Sequence, residues 1–234
     1  MFSKLNGSMT EEGYPKVLSF FHNILSADEK EQQFLEVFMV QVFDLATRGD
    51  AQLCMLCAKL VAELRKSLPF LGDWMMRAFR EYSLVLDEAA PPPAPGTSAA
   101  TQFYARRLYR QGYGRFLAAL TVQGALPPEE YQGVMRKIVA SMQQVLERGT
   151  AAAAAVAAGG AASADSPGAT CMDYADCLFT MTVVAAPVLR THPETRAWLD
   201  AARRLKPAVQ ALPDKRPKFK LMDLFEFTDK GWRA

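Results

Sequence analysis

Two histidines, four cysteines and a set of arginines interleaved with aromatics are the residues here with which chemistry could be done. His22 and His192 each stand in ordinary helix or loop sequence, outside any catalytic or metal-ligand pattern. Cys54 and Cys57, in CMLC, have metal-ligand spacing, and Cys171 and Cys177, in CMDYADC, have it loosely. A zinc site would need both pairs brought together from distant parts of the chain. Cys54 and Cys57 also share one face of an amphipathic helix, where cysteine is a good buried residue. A CxxC with no strand before it is a poor redox motif. QGYGRF has two glycines but follows no strand, so it does not read as a phosphate loop. No Ser or Cys has a base in a recognised nucleophile pattern. These features argue against an enzyme, and no cofactor or metal is expected.

Two stretches remain, FYARRLYRQGYGRF and KRPKFKLMDLFEF. Arg and Lys on phosphate, with rings stacked on bases, are the chemistry of single-stranded RNA contact. Arg106, Arg107, Arg110 and Arg115 are the candidate RNA contacts. The same pattern also suits an amphipathic helix whose rings face the core while its cations face water. The second stretch has an apolar stripe at helical spacing. It also has basic residues at its start, where the helix dipole disfavours them, and a Trp near the end of the chain.

Helices must position these groups. Apolar residues recur three and four apart almost throughout, and no run alternates as a strand would. The first helix is expected from Pro15 to Leu25. Ser26 with Glu29 makes a capping box for the second, and Gly49 stops it. Asp50 caps the third, whose buried face is marked by Leu53, Leu56, Leu60 and Leu64. A Pro-rich loop is expected over 89–101 and an Ala/Gly-rich loop insertion over 149–170. About nine helices of roughly 11–22 residues result, most of them joined by short connections. That predicts an all-α, HEAT-type solenoid of antiparallel pairs in a single domain over 1–234, with a compact orthogonal bundle as its rival.

Composition agrees with a globular protein: half of the residues are hydrophobic and 22% are charged. No run of 18 apolar residues exists, so no membrane partner is expected. The start lacks a signal pattern, and four cysteines are too few for a secreted disulfide framework, so a cytoplasmic setting is expected. Charge is uneven. Residues 1–90 hold 9 Lys+Arg against 13 Asp+Glu, residues 91–189 hold 7 against 6, and residues 190–234 hold 11 against 6. An acidic front and a basic rear suggest two different contact surfaces.

In this order the segments resemble the middle domain of eukaryotic translation initiation factor 4G. The resemblance runs through KLNGSMTEEGYPKVLSFF, FLEVFMVQVFDLA, AQLCMLCAKLVAEL, RRLYRQGYGRFLAALTVQGAL and YADCLFTMTVVAAPVL. It is strongest at the end, in Arg216, Lys218, Phe219, Leu221, Asp223, Leu224, Glu226 and Trp232. The resemblance implies a HEAT-repeat scaffold that binds both lobes of the DEAD-box RNA helicase initiation factor 4A and stimulates it. It implies mRNA as a further contact, and the cap-binding factor 4E as a partner only through parts outside this chain. On that analogy Phe2, Leu5 and Asn6 contact one helicase lobe, and Lys218, Asp223, Glu226 and Trp232 contact the other. Phe219, Leu221 and Leu224 are expected to pack the last helix inward. A scaffold of the same kind in mRNA decay, splicing or nuclear cap binding is the alternative, as is an RNA-binding solenoid without a helicase.

Overall fold

The computed structural model describes residues 9–25, 31–69, 71–73, 75–77, 79–80, 93, 96–157 and 167–232. Every regular element among them is a helix. The chain is all-α: α1 Tyr14–Leu25, α2 Glu31–Arg48, α3 Ala51–Ser67, α4 Ser98–Val122, α5 Pro128–Ala157, α6 Pro167–Val184, α7 Ala186–Leu189, α8 Thr195–Arg204, α9 Lys206–Ala211 and α10 Arg216–Asp229.

The local chemistry explains most boundaries. Asp50 accepts a hydrogen bond from the Leu53 amide at 2.8 Å and opens α3, as an N-cap carboxylate should. Thr97 does the same for α4 through the Ala100 amide at 3.1 Å. Pro128 stands in the first turn of α5, followed by Glu129 and Glu130 at the positive end of the dipole. The end of α4 is a Schellman turn. The Ala125 amide donates to the Leu120 carbonyl at 2.8 Å and the Gly124 amide to Thr121 at 3.1 Å, with Gly124 at φ +74°.

Three expectations change. TRAWLDAARRLKPAVQA, whose apolar spacing reads as one helix, is two, broken at Leu205, because Pro207 cannot donate into a continuing ladder. Pro187 likewise separates α6 from α7. The Ala-rich stretch expected as a loop is helical at 149–157, and α6 already begins at Pro167. Alanine needs no large side chain to bury in order to stay helical, because it loses no side-chain entropy there. The Pro-rich loop ends at Thr97 rather than at 101. The Ser26–Glu29 capping box lies outside the described residues.

Packing follows chain order only in the first part of the chain. α2 packs on α3 and both pack on α4; α4 and α5 pack on α6, and α6 packs on α10. Among the described residues the substantial packing of α1–α3 reaches α4 and stops there. α6 is enclosed by α4, α5 and α10, and its apolar residues are spread around its circumference. α2 and α4 cross closely enough that a Cβ on Gly112 would lie 1.9 Å from the Thr47 carbonyl oxygen. Gly112 of QGYGRF therefore has a packing reason. It is the place where α4 meets α2 backbone to backbone, and helix α4 continues through it. Three buried polar side chains of this half are tied together or to backbone: Trp198 Nε1 donates to Gln132 at 2.7 Å, Gln132 to Thr195 at 2.8 Å, and the Tyr131 hydroxyl to the Met181 carbonyl at 2.9 Å.

Candidate functional site

The arginines of α4 come first, because the sequence offers them to a nucleic acid. Arg110 is buried and pairs with buried Asp173 of α6 at 3.1 Å. Arg107 reaches Asp173 at 2.6 Å and Asp176 at 2.9 Å. Arg115 turns to the α2–α3 junction and donates to the Gly49 carbonyl, a cation at the negative end of α2. In this fold these three tie α4 to its neighbours, a role the sequence pattern did not suggest. Arg106 alone of the four is exposed. The signal that could have found this is in the sequence: Asp173 and Asp176 lie on an otherwise apolar helix, where carboxylates need cationic partners. Burial pushes the Asp173 carboxyl above its ordinary range, outweighing the opposing pull of Arg107 and Arg110.

The basic start of α10 is resolved in the same way. Lys215 donates to the carbonyls of Gln210 and Leu212 at 2.9 and 2.7 Å, closing the end of α9. Arg216 pairs with Asp214, whose carboxyl is held below the usual carboxylate range mainly by that hydrogen bond. Lys220 lies between Asp176 and Asp223, 3.8 Å from each. Lys218 makes no ion pair among the described residues and sits 5.8 Å from the centroid of the Phe219 ring.

Trp232 has a structural task. The Trp232 amide donates to the Phe227 carbonyl at 3.0 Å and the Gly231 amide to Thr228 at 3.3 Å, a second Schellman turn with Gly231 at φ +80°. The Trp232 ring packs edge-on against Phe227 at 6.0 Å, the apolar contact that accompanies this motif. Its side chain is half-buried.

What α10 leaves to solvent is a compact surface. Leu221 and Leu224 are buried as expected, but Phe219 is 58% exposed, contrary to expectation, and Met222 is 44% exposed. Five apolar residues between 219 and 225 cannot all face inward on one helix, so its neighbours bury one subset and exclude another. Phe219, Met222, Asp223 and Glu226 follow the spacing of one face, with Lys218 beside them. Glu226 is exposed and paired with Lys230, which holds its carboxyl below the usual range. Sequence reasoning missed Met222. It also missed the exposed Tyr104, Leu108 and Tyr109 on the first half of α4. Phe2, Leu5 and Asn6 lie outside the described residues.

Nothing metal-like assembles. Among the described residues no three His, Cys, Asp or Glu side chains come together as ligands. All four cysteines are buried thiols outside any disulfide. Burial pushes Cys54 up to about 11, and Cys57 and Cys171 to about 12. His192 is half-buried, 3.8 Å from Glu129. No described helix is long and apolar enough to cross a membrane. No family model, no curated protein and no solved structure matches the chain.

Proposed function

We propose that this chain is a HEAT-type α-solenoid that serves in the cytoplasm as a translation-initiation scaffold, binding the DEAD-box helicase initiation factor 4A and stimulating it. The observation that carries the reading is the solvent face of α10. Phe219 and Met222 supply an apolar centre, and Lys218, Asp223 and Glu226 supply a charged rim, the anatomy of a protein contact. This face lies in the segment where the sequence most resembles the initiation factor 4G middle domain. The packing of α1–α3 on one another and on α4 supports the solenoid, because in such arrays each unit contacts mainly the next. Stimulation then follows from a population shift: a scaffold that binds the productive arrangement of the two lobes more tightly than the others raises its share. Direct mRNA contact is the weaker part of the reading, since three of its four arginines are engaged within the fold.

The test is the RNA-dependent ATPase of initiation factor 4A with and without the full chain. Stimulation is expected, and Phe219→Ala with Met222→Ala should remove it while leaving the melting temperature in place. Asp223→Lys should also remove it. A folded, helical chain that neither binds nor stimulates the helicase would sink the reading.

A further inference from the structure

A line of alternating charge runs from the core to the α10 surface. Its members are Arg110, Asp173, Arg107, Asp176, Lys220 and Asp223, on α4, α6 and α10. Its inner end is buried and its outer end is open: the side chains of Arg110 and Asp173 are 4% and 3% exposed, Arg107 25%, Asp176 17%, Lys220 26% and Asp223 54%. The inner members are fixed by several contacts. Asp176 accepts from Arg107 at 2.9 Å and from Gln111 at 3.4 Å. The outer member stands on the same helix face as Phe219, Met222 and Glu226.

Lys220 is the pivot. Its ammonium is 3.8 Å from Asp176 and 3.8 Å from Asp223, and lies 4.5 Å from the centroid of the Phe179 ring on α6. Two of these three attractions pull it towards α6. Asp223, three residues further along α10, would otherwise have this cation to itself, as a surface pair at that spacing does.

We propose that Asp176, with Phe179, is a positioning group for the docking face: it draws Lys220 towards α6 and so leaves Asp223 incompletely neutralised for a basic contact on the partner. The proposal rests on the scaffold reading. Without Asp176, Lys220 turns fully to Asp223, and the partner's cation must displace an internal pair. Surface pairs of this kind correspond to about threefold to fivefold in an equilibrium constant.

The test is a set of dissociation constants for initiation factor 4A with the wild-type chain, Asp176→Asn, Lys220→Met and the double variant, each checked for a cooperative melt. Asp176→Asn should weaken binding about threefold to fivefold. Lys220→Met should not weaken it, and in the double variant it should rescue the loss, because the cation that masks Asp223 is gone. If Asp176→Asn binds like wild type, or if the double variant is as weak as Asp176→Asn, the proposal is overturned. A merely structural Asp176 would give no rescue. Should Asp176→Asn fail to fold, Asp176→Glu keeps the carboxylate and must bind like wild type. The free chain gives a second readout. The Phe179 ring should shift the Lys220 Hε resonances upfield, and Asp176→Asn should move them back. Resonances unchanged by the substitution would refute the positioning even if the wild-type chain failed to bind the helicase, an outcome that by itself would sink only the scaffold reading.

Discussion

Replacing Asp173 by Leu removes the carboxylate that faces buried Arg110 at 3.1 Å. The two side chains are 3% and 4% exposed. Breaking a buried pair from one side leaves an uncompensated charge and costs about 3–5 kcal/mol. The lower end applies here. The raised Asp173 carboxyl shows that its burial already opposes its charge, and Arg107 keeps Asp176 at 2.9 Å after the substitution. A loss of about 3 kcal/mol should lower the melting temperature of a domain of this size by about 6–12 °C. Replacing the pair together, as Asp173→Leu with Arg110→Met, removes both desolvation costs and should recover most of the loss. Urea and thermal melts of wild type, both single variants and the double variant measure the coupling. If Asp173→Leu costs less than about 1 kcal/mol, or if the double variant is worse than either single one, the pair is not a buried electrostatic tie and the reasoning fails.

Gly112→Ala should be strongly destabilising although alanine is the better helix former, because its Cβ would meet the Thr47 carbonyl at 1.9 Å. Gly133→Ala, in the interior of α5 with only the tip of Arg136 at 4.0 Å, should instead stabilise by about 0.5–1 kcal/mol; equal effects in urea titrations would refute the contrast. The native thiols should react slowly with a disulfide reagent near pH 8 and all four should react on unfolding, since burial pushes Cys54, Cys57 and Cys171 up to about 11–12. Asp173 and Asp214 should bend the acid limb of stability in opposite directions. The raised Asp173 contributes stability below the ordinary carboxylate range and loses it as pH rises through its folded value. The lowered Asp214 contributes above that range and loses it as pH falls through its folded value. Urea midpoints across the acid range should therefore fall more steeply on acidification in Asp173→Leu and less steeply in Asp214→Asn. Trp232→Ala should fray the end of α10 by removing the ring packed on Phe227, read as lost amide protection in the last turn.

Helices and their caps are local matters, and the sequence carried them well, whereas the breaks before Pro187 and Pro207 were read through. Asp50 capped α3 as its type and position required, and Leu221 and Leu224 turned inward as their spacing demanded. Both Schellman turns were written in Gly124 and Gly231, and the Trp after the second packs on Phe227. The length of α5 was legible in principle, because a run of alanines is helical by propensity alone. The α10 segment was singled out by its residues before any packing was known, and its exposed face includes Asp223 and Glu226, with half-buried Lys218 at its edge.

What one chain segment does to another was not written locally. Arg106, Arg107, Arg110 and Arg115 are the same type within ten residues, yet three are drawn inward by Asp173, Asp176 and the Gly49 carbonyl. Their partners stand about 60–70 residues away, and no local pattern encodes that distance. Phe219 and Leu221 are both apolar and two residues apart, so only the position of α6 against α10 decides that one is buried and the other faces water. The sequence by itself determined an all-helical chain with a mixed apolar and charged last helix. The tertiary structure alone decided which charges are paired inside the fold and which face solvent, because burial and charge pairing depend on the approach of helices distant in sequence.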